Sequence, residues 1–159
     1  MKPRRSARVM VFDPAGRVLL IRCAVVRRDG KLFVFWLTPG GEIEPGEEPL
    51  TAARRELQEE LGLVLEPQGP VYSEHNQFEH MGEMRDNEDF YFVAQCAAEA
   101  PRMQGVTADE IALMQEIRWW TAEEIEAALG RGENVFPVDL VMRMREFAGF
   151  GTSRADGVR

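Results

Sequence analysis

Apolar positions along the chain alternate, then cluster, then recur at helical spacing, and each change of period marks an element. Ala7 to Phe12 is rich in β-formers. Asp13-Pro14-Ala15-Gly16 carries turn chemistry, and a second apolar run extends from Arg17 to Val26, so the pair predicts a hairpin. Asp29-Gly30 marks another tight turn, and Leu32 to Leu37 a third strand. Thr38-Pro39-Gly40-Gly41 is expected to break that strand, Glu42 to Glu48 to form an acidic loop, and Pro49 to sit in the first turn of a helix that Gly62 ends. Val71 to His80 reads as a strand with mixed faces, Met84 to Asp89 as a polar loop, and Phe90 to Ala97 as an apolar strand in the middle of a sheet. Ala98 to Asp109 reads as a connector. Ile111 to Gln115 fits a short helix or a loop, and Glu116 to Thr121 a last strand. Thr121-Ala122-Glu123-Glu124 is a capping box that opens a helix running to Gly130. Val138 to Phe147 is a final amphipathic helix behind Pro137, and Gly151 to Arg159 a frayed tail. Strands interleaved with helices in one domain over residues 1–150 predict a layered α/β arrangement.

The stretch from Pro49 to Leu61 carries chemistry as well as structure. With Glu56 at zero and about 100° per residue, Glu59 falls near 300° and Glu60 near 40°, so the three acids share one face. Leu50, Ala53, Leu57 and Leu61 fall between roughly 60° and 140°, a separate stripe suited to a core. Arg55 stands four residues before Glu59, where an ion pair can form. Carboxylates crowded on one face repel unless a positive group sits among them, and a hard divalent cation such as Mg2+ suits oxygen ligands shared with phosphate. The plainer alternative is a solvated acidic face. It does not explain why a Gly-rich turn, an arginine and a closing Gly62-Leu63 frame the acids.

Composition narrows the partners. The chain has 159 residues, 45% hydrophobic and 29% charged, within reach of one soluble globular domain with a real core. Its formal net charge of −8 argues against broad nucleic-acid or membrane-surface binding, though not against a phosphorylated substrate. Cys23 and Cys96 are expected as buried thiols in a reducing cytoplasm. No run is long enough to span a membrane, and the basic start, Met1 to Arg8, is expected to be a solvated lead-in. His75 and His80 lack metal-pair spacing, which argues against zinc.

Gly41, Glu47, Arg55-Glu56-Leu57, Glu59-Glu60 and Gly62-Leu63 follow the spacing of the Nudix hydrolase signature, with every constrained position filled. The lead-in Trp36-Leu37-Thr38-Pro39-Gly40 and the distal Trp119-Trp120-Thr121 also resemble that family. The resemblance implies an α/β/α sandwich with a mixed β-sheet. It also implies hydrolysis of a nucleoside diphosphate linked to another group, by water attack on a phosphoanhydride phosphorus. Carried across, it makes Glu56, Glu59 and Glu60 side-chain ligands of Mg2+, with Mn2+ the expected substitute, and Gly40 a carbonyl ligand. Arg55 would orient Glu59 or a neighbouring carboxylate, and Glu47 would brace the loop. The general base is Glu59 in one version and a distal acid, Glu110 or Glu116, in another.

Substrate recognition is thinner. Arg22, with Arg27 and Arg28 beside it, is a candidate phosphate contact, and Arg85 and Asn87 are candidates for phosphate or base edge. Phe78 is the candidate stacking platform, with Tyr72, Phe90 and Trp36 as others. The position where ADP-ribose members often carry a proline holds Phe78, and the tyrosine of dinucleoside polyphosphate members is replaced across Glu79 to Met81. A small nucleotide, a nucleoside triphosphate or nucleotide sugar, is what remains. By analogy with the family, a homodimer is possible. A noncatalytic nucleotide-sensing module on the same fold is the competing class. Such modules commonly lose a signature acid, which this chain keeps, and in 159 residues the fused domain such a module would use is not expected.

Overall fold

The computed structural model describes residues 4–80, 83–97 and 113–148. In chain order these form β1 (Arg4–Phe12), β2 (Val18–Val26), β3 (Leu32–Leu37), β4 (Gly40–Glu42), α1 (Pro49–Leu61), β5 (Gln68–His80), β6 (Glu83–Gln95), β7 (Leu113–Trp120), α2 (Ala122–Gly130), β8 (Val135–Phe136) and α3 (Leu140–Phe147). The sheet is eight-stranded, ordered β5-β6-β1-β2-β3-β8, with β4 on β1 and β7 on β2. It is mixed, because β1 runs parallel to β6 and β3 parallel to β8 while the other pairs are antiparallel. The predicted α/β class holds.

The first hairpin closes where turn chemistry predicts. Asp13 Oδ1 accepts from the backbone N–H groups of Ala15 (3.0 Å) and Arg17 (2.8 Å), a local bond that short acidic side chains favour in turns. Beyond it the strands diverge, since β1 and β2 are in register only at Phe12 and Val18. The sheet therefore splits into β5-β6-β1-β4 and β7-β2-β3-β8. After the hairpin turn, the chain crosses the split again in a short step, from β3 through Thr38-Pro39 into β4 against β1.

Each face has its own core. Ala7, Val9 and Val11 of β1, Leu19 and Ile21 of β2 and Phe92 of β6 pack with Ala53, Leu57 and Leu61 of α1. Met10, Phe12, Val18, Leu20, Trp36 and Trp120 pack on the other face with Ile125 of α2 and with Leu140 and Met144 of α3. The layers are thus helix, sheet, helix. α2 opens on the predicted box, with Thr121 Oγ1 accepting from Glu124 N–H at 3.0 Å and Glu124 Oε1 from Thr121 N–H at 2.9 Å. Cys23 and Cys96 are buried and are not joined in a disulfide.

Several expectations need correction. Thr38 to Gly41 does not simply break a strand, because Gly40–Glu42 pairs with β1. Met84 to Asp89 is not a loop. It extends β6 and pairs along β5, from Asp89 with Glu74 to Met84 with Glu79. Leu113 to Gln115 belongs to β7 rather than to a helix or loop, and β8 is a further strand after it. The basic start is not a solvated lead-in from residue 4 onward. Arg4 to Arg8 is part of β1, with Ser6 and Ala7 fully buried. The connector 98–109, residues 111 and 112 and the tail 151–159 lie outside the described residues.

Candidate active site

α1 begins with Pro49 at its first turn and ends at Gly62, whose φ of 67° is the left-handed conformation that lets its N–H return to the carbonyl of Gln58. Between these stops the predicted stripes separate. Ala53, Leu57 and Leu61 enter the core, while Leu50 packs at its margin. The acids divide: Glu56 and Glu60 are only 8% and 5% exposed, whereas the Glu59 side chain is 61% exposed.

Two features fix the buried pair. Glu60 Oε1 accepts the Gly40 N–H at 3.1 Å. Glu56 lies against Gly41 so closely that a Cβ there would fall 2.5 Å from its Cδ. β-ladder parity explains the orientation of Gly40. Val9 N–H donates to Pro39 O and Ile43 N–H to Arg5 O, so the intervening pair Arg8 and Gly40 is a non-hydrogen-bonded one. Gly40 therefore turns both its N–H and its C=O away from β1. The carbonyl proposed as a ligand is not consumed by the ladder.

Arg55 holds the remaining acids. Its Nε and Nη2 grip Glu47 at 2.8 and 2.9 Å, a bidentate fork, and its Nη1 lies 3.0 Å from Glu56 Oε2 and 3.2 Å from Glu59 Oε1. Nη2 also donates to Glu42 O at 3.1 Å, which ties the acidic loop to the helix. The Arg55 hydrogen bonds hold the Glu47 carboxyl below the usual carboxylate range, and Glu47 in turn raises Arg55. Glu47 thus braces the loop, and its main partner is Arg55.

The donor set is all oxygen, which suits a hard cation. Among the described residues no group of three or more acidic, His or Cys side chains already converges on one point. Glu56 and Glu60 nevertheless fit a cation. Both are buried carboxylates beside a glycine cradle that a side chain would fill, and burial pushes the Glu56 carboxyl above its ordinary value while Arg55 opposes the shift. A raised carboxyl value means that the folded chain holds a proton the unfolded chain has released. Stability present at low pH is then lost as pH rises through the folded value, and a bound cation can take the proton's place. Mg2+ is therefore expected to raise Tm more at about pH 8 than at about pH 5. Calorimetric scans with and without Mg2+ check this, and equal gains at both would contradict it.

The cradle yields a second expectation. Gly41→Ala should fold, because the displaced atoms are the mobile end of the Glu56 side chain. It should weaken Mn2+ binding by about 10- to 100-fold without altering any carboxylate, the scale typical of groups that orient metal ligands. Titration calorimetry reads the change; native affinity in the folded variant would show that Glu56 is not a ligand.

The other candidates are dispersed. Arg22 lies in β2, opposite Trp36 on one side and Glu116 on the other, and Glu116 is exposed. Phe78 and Arg85 are cross-strand partners out along the β5–β6 hairpin. Arg85 is six residues from Tyr91, the β6 residue level with Arg8, a span of about 20 Å along an extended strand. The structure does not bring these two beside Gly40. Glu110 lies outside the described residues. Tyr72 is stacked at 4.5 Å on Tyr91, Trp36 meets Trp120 edge-on at 5.0 Å, and Phe90 lies under Arg5 at 5.1 Å, so these rings are engaged. An open hollow on the outer side of α1 is lined by Thr51, Arg54, Arg55, Gln58 and Glu59, which leaves Glu59 facing solvent.

Sequence reasoning missed the residues behind the turn. Arg8 Nη1 donates to Thr38 O at 3.1 Å. Thr38 is fully buried, and its hydroxyl has no hydrogen-bond partner among the described residues. Beside them Ser6 donates to Asn87 Oδ1 at 3.2 Å, and Asn87 and Asn76 donate to the two oxygens of Asp89 at 2.7 and 2.9 Å. The available signal was parity: Arg8, Met10 and Phe12 share one strand face, and two of the three are apolar.

A split mixed sheet with a glycine turn and an acid-bearing helix at its mouth defines a domain suited to holding a hard cation against phosphate oxygens. The chain belongs to the Nudix hydrolase family: the NUDIX domain model matches residues 2–137. It is 45% identical over 62 residues to the RNA pyrophosphohydrolase of Bartonella henselae, a match taking in 38% of this chain and 36% of that protein. It is 31% identical over 126 residues to the uncharacterised Nudix hydrolase YfcD of Escherichia coli K12, which takes in 77% of this chain and 62% of YfcD. The matched parts thus amount to less than two thirds of either relative. Among solved structures, the E. coli dihydroneopterin triphosphate pyrophosphohydrolase superposes with a TM-score of 0.63 at 17% identity, covering 93% of this chain and 98% of that one. That likeness shows the shared fold. Among the described residues no helix is long and apolar enough to cross a membrane.

Proposed function

We propose that the protein is a Mg2+-dependent pyrophosphohydrolase that cleaves a phosphoanhydride bond of a small nucleotide by water attack on phosphorus. One observation carries this reading: two buried glutamates and the free-facing carbonyl edge of Gly40 meet at the mouth of the split sheet. Names borne by relatives, RNA pyrophosphohydrolase and dihydroneopterin triphosphate pyrophosphohydrolase, support the same bond type.

When bound, the cation would shield the phosphate charge and lower the pKa of the attacking water. Glu56, Glu60 and the Gly40 carbonyl would hold it, with Glu59 as a further carboxylate ligand. Arg55 orients Glu56 and Glu59 and leaves the chemistry to them. Glu59 is the general base we favour among described residues, because its exposed carboxylate stands at the open side where water and substrate arrive. Glu116, which is exposed, and Glu110, which lies outside the described residues, are its rivals. Arg22, in β2 between β3 and β7, is the arginine candidate within the body of the sheet. Phe78 and Arg85 would serve only a substrate long enough to reach along the hairpin. A nucleoside triphosphate or nucleotide sugar is the proposed substrate class, Mn2+ the proposed substitute metal, and the cytoplasm the proposed compartment.

The test is a turnover panel with Mg2+. It offers nucleoside triphosphates, nucleotide sugars, ADP-ribose, dinucleoside polyphosphates and a 5′-triphosphorylated RNA, with products identified by mass. Metal-dependent cleavage of a phosphoanhydride supports the reading. Silence across the panel in a folded protein that binds Mg2+ would favour the nucleotide-sensing module instead.

A further inference from the structure

Two groups grip the Thr38-Pro39-Gly40 turn from opposite sides. Glu60 takes the Gly40 N–H, and Arg8 donates to the Thr38 carbonyl. Arg8 is also the β1 residue paired with Gly40, and it sits so close that a Cβ on Gly40 would meet the Arg8 Cα at 2.9 Å. On its other side β1 lies against β6, where Arg8 is level with Tyr91 and Asp89 is two residues away. A half-buried guanidinium is thus built into the wall directly behind the acids of α1.

We propose that Arg8 is a positioning residue for the cation: a resident positive charge behind Glu60 that weakens metal binding to the free protein, so that metal is held firmly only together with a polyphosphate. This rests on the reading that Glu56 and Glu60 are metal ligands. Electrostatics agree with the geometry. Burial works against the Arg8 charge, the carboxylates of Asp89 and Glu60 favour it, and Arg8 in turn favours the ionised form of Glu56. A fixed cation that stabilises these carboxylates must oppose a second cation arriving among them. A polyphosphate changes the balance, because its negative charge is attracted by metal and guanidinium alike. Metal and nucleotide affinities are then coupled, each strengthening the other.

The test is Mn2+ titration by calorimetry, without nucleotide, on the native protein, Arg8→Gln and Arg8→Lys. Arg8→Gln keeps a donor for the Thr38 carbonyl and removes the charge. It is expected to bind Mn2+ at least threefold more tightly, and Arg8→Lys to stay within twofold of native. A merely structural role for Arg8 would leave affinity unchanged or lower it, and any gain below threefold in Arg8→Gln overturns the proposal. Asp89→Asn provides a second variant should Arg8→Gln not fold. With its neutralising partner gone, Arg8 should oppose the metal more strongly, and Mn2+ binding should weaken threefold or more; unchanged or tighter binding overturns the proposal. Because the readout is binding without turnover, it stands apart from failure of the hydrolase reading. In that case the turnover panel is silent while these affinities still shift.

Discussion

Glu60→Gln is expected to lower Mg2+-dependent turnover by about a thousandfold, the scale seen when one preorganised electrostatic group is removed from a transition state. The substitution keeps the size of the side chain, and the amide oxygen can still accept the Gly40 N–H that Glu60 now accepts at 3.1 Å. The turn should therefore hold and the chain should fold. What is lost is the negative charge of the more deeply buried of the two inner acids, 5% exposed against 8% for Glu56. The loss should fall mainly on kcat, since the charge matters most where the leaving group develops its own. Steady-state kinetics, with circular dichroism as the check on folding, decide it. Turnover within tenfold of native would remove Glu60 from the metal site.

Leu57→Ala is expected to lower stability by about 3 kcal/mol, within the 2–5 kcal/mol usual for buried leucines. Leu57 is fully buried and is flanked in sequence by Glu56. It belongs to a core cluster that draws on both halves of the split sheet, including Val9 and Val11 of β1 and Leu19 and Ile21 of β2. Emptying that position leaves a cavity where α1 is seated, so the helix that carries the acids should loosen with the core. Denaturant unfolding gives the magnitude, and Mn2+ affinity should fall in the same variant. A cost below about 1 kcal/mol would mean that α1 is held chiefly by the Arg55 network and not by its apolar stripe.

Much of the site was legible because local chemistry and periodicity agree there. Pro49 and Gly62 bracket the helix, its apolar and acidic residues fall on different stripes, and the Gly-rich turn precedes it at fixed spacing. The wheel alone made the three acids equivalent. The contrast between buried Glu56 and Glu60 and exposed Glu59 comes from the docking of α1 beside β4, which helical period cannot supply. Met84 to Asp89 read as a loop because it lacks apolar alternation. It is a strand because β5 supplies a partner in register and because Asn87 and Asp89 satisfy one another, Ser6 and Asn76 in a polar network. β8 is two residues long, too short for any period to show. Arg8 looked like part of a basic tail. Its role at the turn depends on β4 returning to pair with β1, a contact between residues about thirty positions apart that no local pattern encodes.

The central claim is that Glu56, Glu60 and the Gly40 carbonyl hold the divalent cation. Anomalous diffraction from crystals soaked in Mn2+ tests it most directly. The account predicts a manganese peak within ligating distance of the Glu56 and Glu60 carboxylates and the Gly40 carbonyl oxygen, with Glu59 turned away from Arg55 toward it. A peak bound elsewhere, or none at this turn while the soaked protein still hydrolyses its substrate, would contradict it.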